Sequence, residues 1–304
     1  MASPEFESFM APFRNRSTFG ATATIEDLRA GLEGLAKTFF SPPEGVAFER
    51  HDVGGLPIEW CRPQGADRDS IMLYFHGGGY GIGSLDTHRA LVSHLAKAAG
   101  VQGLHFEYRL APEYPFPAAF DDSVAIYRRL LDQGYAPSRI AFAGDSAGGG
   151  LALSTLLAVR DEGLPAPACG VCLSALTDLT HSGASVSERA HRDPFVTPQG
   201  SHNYALRYLG PDGDPRDPRA SPLFGRFDNL PPVLVMVGSE EVLYDDSVRV
   251  AEKLKAAGNA GRFEEWPEMT HVWPSFYDQF PEAKDGVARA AAFIRTFIPG
   301  REAV

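Results

Sequence analysis

The hydrophobic rhythm of the chain is helical at its start. Phe6, Phe9, Met10 and Phe13 recur at i, i+3, i+4 and i+7, one face of a helix. Ile25, Leu28, Leu32, Leu35 and Phe39 form a second apolar stripe. Thr24, with Asp27 three residues on, has the spacing of a capping box that opens this second helix, and Ser41-Pro42-Pro43 closes it. The first, aromatic stripe has two readings: packing against a main domain, or a lid over a pocket.

From Val46 onward short β-rich runs alternate with helical patterns. Strands are expected over 47–53, 58–62, 71–75, 103–108, 140–143, 170–174, 233–237 and 262–266, with helices near 87–99, 118–133, 147–162, 246–257 and 283–297. Helical crossovers between the later strands require them to be parallel. The pattern therefore predicts a doubly wound α/β sheet. It fails between about Ser182 and Leu223, a polar, Pro-rich stretch that reads as an insertion over the strand ends. The expected organisation is N-terminal cap helices over 1–45, a core of 46–181 and 222–304, and a cap insertion over 182–221.

The 304 residues, 44% hydrophobic and 22% charged, suit a globular protein with a sizeable core. Twenty-eight basic against 39 acidic residues give a net charge of -11, the wrong sign for a nucleic-acid or anionic-lipid partner. The stretches poorest in charge, 70–85 and 163–177, are broken by glycine or proline and fall short of the roughly 18 residues of a membrane span. The opening MASPEFESFM has neither a basic nor an apolar leader region, and Cys61, Cys169 and Cys172 cannot build a disulfide framework. Both features suggest a cytoplasmic location. Cys169 and Cys172 have CxxC spacing, yet they sit in an apolar run with no second ligand pair, which favours a core strand over a metal site.

Chemistry concentrates at strand ends. GDSAG, Gly144 to Gly148, follows the apolar run IAFA and precedes a helical run, the strand-turn-helix setting in which a GxSxG serine is presented at a helix N-terminus. HGGG, His76 to Gly79, follows IMLYF, and its consecutive glycines leave backbone N–H groups open to a developing oxyanion. GGGYGIG lacks the GxGxxG register and the acidic residue expected some 20 positions on, which argues against a dinucleotide site. Of nine histidines, His271 lies in a loop after the last strand, matching the chain order serine, acid, histidine. The acid should follow VLVMVG, where Glu240 and Glu241 are adjacent; Asp245 and Asp246 precede a helix, and capping accounts for at least one of them.

Together HGGGYGIGS, YRLAPEYPFPAAFDD, GDSAGG, GSEEVLYDDS and MTHVWPSF, in one order from His76 to Phe276, resemble the bacterial hormone-sensitive-lipase-like esterases of the α/β-hydrolase superfamily. The resemblance implies an α/β-hydrolase fold with a mostly parallel eight-stranded sheet, helices on both faces and a helical cap. It implies Ser146 as nucleophile, His271 as base, and the backbone N–H groups of Gly78, Gly79 and Ala147 as the oxyanion hole. The family pattern GxxDPL registers on Gly238 to Leu243 and places Glu241 at the acid position, although glutamate stands for aspartate and Val242 for proline. Arg109, Glu113 and Asp121 match family positions and are expected to form an internal polar network that holds the glycine turn. The expected function is a serine carboxylesterase acting on short to medium acyl esters through an acyl-enzyme, with the cap phenylalanines walling the pocket. Lactone or amide hydrolysis with the same triad, or a non-catalytic ligand receptor on this fold, are the alternatives. No cofactor or metal is implied; the partner is a small ester, and a homodimer is compatible with the family.

Overall fold

The computed structural model describes residues 2–14 and 23–298. Strands β1 (Val46–Val53), β2 (Leu56–Pro63), β3 (Asp67–Phe75), β4 (Val101–Phe106), β5 (Ile140–Asp145), β6 (Cys169–Leu173), β7 (Val233–Gly238) and β8 (Arg262–Trp266) form one sheet in the order β1-β2-β4-β3-β5-β6-β7-β8. The two-residue turn Gly54-Gly55 makes β1 and β2 an antiparallel hairpin, and β2 runs antiparallel to β4. All later pairings are parallel. Central strands in such a sheet are covered on both faces, so they read as unbroken apolar runs rather than alternations. β4, β5, β6 and β7 are accordingly buried along their whole lengths.

The helices are α1 (Pro4–Arg14), α2 (Ile25–Phe39), α3 (Leu85–Ala99), α4 (Ala118–Asp132), α5 (Ser146–Asp161), α6 (Ser185–Glu188), α7 (Pro198–Leu209), α8 (Tyr244–Ala256) and α9 (Pro281–Phe297). Alternate strand residues feed two apolar layers. Ile71, Leu73 and Phe75 join α4, α5 and α8 on one face; Met72 and Tyr74 join α1, α3 and α9 on the other. Cys169 and Cys172, an odd number of residues apart on β6, fall into opposite layers, so the CxxC spacing brings no ligand pair together.

The aromatic stripe of α1 packs and does not wall a pocket. Phe6 and Met10 are fully buried, Phe6 meeting Phe280 edge-on at 5.0 Å, while Phe9 contacts Phe276 and Phe13 contacts Phe195. An aromatic pair of this kind adds to the area it buries, which suits a helix with one apolar side and no core of its own. It is α2 that faces the cavity, through Leu28, Leu32 and Leu35. Its start is the expected capping box: Thr24 Oγ1 accepts from Asp27 N–H, and Asp27 accepts from Thr24 N–H. Arg29 then ties α2 to the core, donating to the Gly81 and Ala111 carbonyls and pairing with Glu113 at 2.7 Å. No described helix is long and apolar enough to cross a membrane.

Candidate active site

Ser146 is the first residue of α5 and follows β5 without a linker. The turn puts its φ at +51°, the left-handed region that a serine enters only when its surroundings hold it there. Gly148 makes the sharp turn fit, because a Cβ there would stand 2.0 Å from the Phe75 carbonyl oxygen. The N–H groups of a helix's first turn lack intrahelical acceptors, and that of Ala147 is among them. The Ala147 side chain is buried and is not part of the cavity lining, so any role there falls to its backbone N–H.

The His76–Gly79 turn leaves the end of β3 beside this elbow. Gly78 has φ +114°, and its carbonyl accepts from Gly81 and Ile82 N–H, so the chain reverses with Gly78 and Gly79 lining the cavity. Asp145 joins the two turns. Fully buried, it accepts from Tyr74 Oη at 2.7 Å and Gly77 N–H at 3.0 Å, with His88 Nε2 at 3.5 Å. Burial pushes its carboxyl up, but His88 and the Tyr74 hydrogen bond outweigh burial and hold it below the ordinary aspartate value. His76 stacks on Tyr108 at 4.1 Å, and burial drives its pKa down to about 3, so it is a neutral structural ring.

On the other side, Glu241 lies fully buried after β7, and both carboxylate oxygens have partners. Oε1 accepts from Ser174 Oγ at 2.7 Å and Gly238 N–H at 2.6 Å; Oε2 faces His271 Nδ1 at 3.0 Å. Ser174 Oγ also accepts from Val272 N–H at 3.1 Å, bridging the acid loop and the histidine loop. Ser174 and Val272 both have positive φ, +50° and +48°, as does Ser146. Three strained non-glycine residues, two lining the cavity and Ser174 behind His271, mark a site held in place by its surroundings. Burial disfavours the imidazolium of His271, yet the Glu241 hydrogen bond and the charges of Glu241, Asp193 and Asp145 raise its pKa above the ordinary histidine value.

Ser146, His271, Gly78 and Gly79 line one cavity of about 330 Å³. Leu28, Leu32, Leu35 and Ile82 give it an apolar wall; Gln199, Ser201, Asn203, Tyr204 and Arg207 face it from α7. The family model described as alpha/beta hydrolase fold matches residues 72–275. This chain belongs to that family. It is 42% identical over 299 residues to an acetyl-hydrolase of Streptomyces hygroscopicus, covering 97% of this chain and 98% of the relative. It is 36% identical over 266 residues to an esterase of Acinetobacter venetianus, covering 88% and 87%. A crystal structure of an esterase from the bacterial hormone-sensitive lipase family superposes with a TM-score of 0.93 at 44% identity, covering 98% of this chain and 99% of that one. The hydrolase is thus a member of the hormone-sensitive-lipase-like esterases, a carboxylic ester hydrolase, as its motifs suggested.

Several side chains of this esterase have other partners than their motifs suggested. Arg109 pairs with Asp122 rather than Asp121, because neighbours on α4 point about 100° apart, and the pair lies towards solvent. Glu113 binds Arg29 of α2. The glycine turn is held instead by Asp145, by Arg29 at Gly81, and by Tyr108 Oη donating to the His76 carbonyl at 2.8 Å. Neither Asp245 nor Asp246 caps α8, since both lie inside its first turn. Asp246 accepts from the N–H groups of Thr177 and Asp178, and Asp245 from that of Ser185. Glu240 points away from His271, accepting from Ser239 Oγ with Arg192 at 3.7 Å.

Two buried residues near His271 escaped the motif reading. Ser174 is one. Asp193, in the insertion, accepts from Phe195, Val196 and Val242 N–H at 3.0 Å each, and burial lifts its pKa to about 6. Its only sequence signal is an acidic residue before Pro194 in a polar segment, the ordinary signature of a turn.

Proposed function

We propose that this esterase is a serine hydrolase in which Ser146 is the nucleophile, His271 the base and Glu241 the acid, with the N–H groups of Gly78, Gly79 and Ala147 as the oxyanion hole. The observation that carries the reading is the hydrogen bond from His271 to the buried Glu241, with His271 lining one cavity together with Ser146 on its strained turn. His271 Nε2 takes the Ser146 proton as Oγ bonds to the ester carbonyl carbon, and the oxyanion hole receives the negative oxygen. The carbonyl reforms, the alcohol oxygen leaves with the proton from His271, and an acyl-serine remains. Water then repeats the sequence: His271 takes its proton, the hydroxide adds to the acyl carbon, and the acid departs as Ser146 regains its proton. Glu241 holds Nδ1–H throughout.

The substrates are esters of short to medium acyl chains, because α2 and α7 close the cavity on two sides. In this reading residues 1–45 and 182–221 are the cap, and 46–181 with 222–304 the core. A serine-reactive phosphonate should label Ser146 alone, and Ser146→Ala should lower hydrolysis of an aryl ester by about 10⁴-fold or more with an unchanged circular dichroism spectrum. Activity within a few-fold of wild type would overturn the assignment.

A further inference from the structure

Of the polar side chains that line the cavity and have no part in the reaction proposed above, Arg207 and Tyr204 stand out. Arg207 is the one lysine or arginine side chain lining the cavity among the described residues, and no described carboxylate pairs with it. In a chain with 39 acidic to 28 basic residues, that is unusual company for a half-buried guanidinium. Arg29, Arg109 and Arg249 each hold a carboxylate. Tyr204, one turn earlier on α7, has a buried hydroxyl with no hydrogen-bond partner, although buried polar atoms are ordinarily paired.

The two are neighbours at i and i+3, the Arg207 guanidinium carbon standing 5.7 Å from the Tyr204 ring centroid. The Tyr204 ring in turn lies on the oxyanion loop, since a Cβ on Gly79 would stand 2.5 Å from Tyr204 Cγ. Outward from Gly79 along this wall come an aromatic ring and a fork of N–H donors, with a phenol O–H on the same side chain as the ring. Leu28 and Leu32 of α2 pack in one apolar cluster with the Tyr204 ring, and Leu35 continues the lining. Both unpartnered groups can donate, and the arginine can only donate. A planar fork suits a carboxylate, whose single charge and two oxygens match one guanidinium and one hydroxyl.

We infer that Tyr204 and Arg207 form an anion subsite, so that the esterase prefers esters carrying a carboxylate a short spacer from the scissile carbonyl. The inference rests on the proposed function and names the substrate class for that same cavity. The carboxylate belongs to the acyl or to the alcohol half of the ester, and matched pairs separate the two. Mono-4-nitrophenyl glutarate against 4-nitrophenyl pentanoate probes the acyl half; 3-acetoxybenzoate against phenyl acetate probes the alcohol half.

The readout is the ratio of kcat/KM for the anionic to the neutral member of each pair. Arg207→Gln should lower that ratio about tenfold or more in one pair, the scale of a lost hydrogen bond to a charged group. Arg207→Lys should keep part of it, Arg207→Glu should fall below Arg207→Gln, and Tyr204→Phe should lower it by a smaller factor. Thermal melts verify that each variant is folded. Ratios that Arg207→Gln leaves unmoved in both pairs would overturn the subsite while the esterase reading stands. A wild-type protein that hydrolyses neither neutral ester would instead reject that reading. Glutarate binding by calorimetry then decides the subsite alone: binding abolished by Arg207→Gln supports it, and binding that is absent or unaffected refutes it.

Discussion

A carboxamide in place of the Glu241 carboxylate would reverse the proton on His271. The Gln side chain keeps its oxygen for Ser174 Oγ–H and Gly238 N–H, which leaves its NH₂ facing His271 Nδ1. A donor there requires Nδ1 to accept, so the ring proton moves to Nε2 and the base is lost. Glu241→Gln should therefore reduce kcat by a factor approaching about 10⁴, the size of this tautomer effect in the aspartate template. Glu240→Gln should stay within several-fold, since Glu240 meets Ser239 and Arg192 and makes no hydrogen bond to His271. The reverse ranking in steady-state kinetics would move the acid role to Glu240. The same surroundings set the pH profile. A base must be unprotonated, and His271 has a raised pKa, so the acid limb of kcat/KM lies above the ordinary histidine value of 6.5 and activity falls as pH drops through it. Asp193 is one of the charges that stabilise the imidazolium. Asp193→Asn should shift the limb to lower pH, and an unmoved or upward-moved limb would contradict this account.

At the scale of elements, α1 and α2 differ in what their apolar faces touch. Phe6 is fully buried against Phe280, far from any role as a lid. Phe6→Ala should cost roughly 3–5 kcal/mol of stability, as large aromatic truncations in cores do, and lower the melting temperature without altering the acyl-length preference. A changed preference with an unchanged melt would put α1 at the pocket after all. The sheet was legible in the sequence for a physical reason: strands covered on both faces need continuous apolar runs, and β3, β5, β6 and β7 have them between glycine- or proline-bearing turns, while β4 buries Gln102 and His105 among its apolar residues. All eight strands fall within a few residues of their expected ranges. The positions of Ser146 and His271 were legible through local turn chemistry. Partnerships across distant elements were not, because periodicity says which way a residue faces and not what meets it. Arg29 with Glu113, Asp246 with the loop after β6, and Asp193 beside His271 each join segments 49 or more residues apart, or a loop to a helix that only the fold brings near.

The whole molecule places its cavity where parallel α/β sheets hold ligands, beyond the carboxyl ends of the strands. Ser146 follows β5, Glu241 follows β7 and His271 follows β8, while the HGGG turn follows β3. Over them close two segments remote in the chain: α2 from the N-terminal region, and residues 195–207 of the insertion. The cavity volume of about 330 Å³ sits at the lower end of the roughly 300–1,000 Å³ of small-molecule sites. On the proposed reading a short acyl group would fill it, and a long one would have to push α2 away from Gly81 and Ala111, to which Arg29 binds it. Rates over 4-nitrophenyl esters of increasing acyl length should accordingly peak at short to medium chains and fall well before about 16 carbons, a length that a site of this size cannot enclose. Leu32, on the cavity side of α2, is the residue that sets the limit in this account. Leu32→Ala should move the optimum to longer chains and Leu32→Trp to shorter ones, each read from kcat/KM across the series. A profile still rising at the longest chains, or an optimum that neither substitution moves, would mean that α2 does not bound the acyl site.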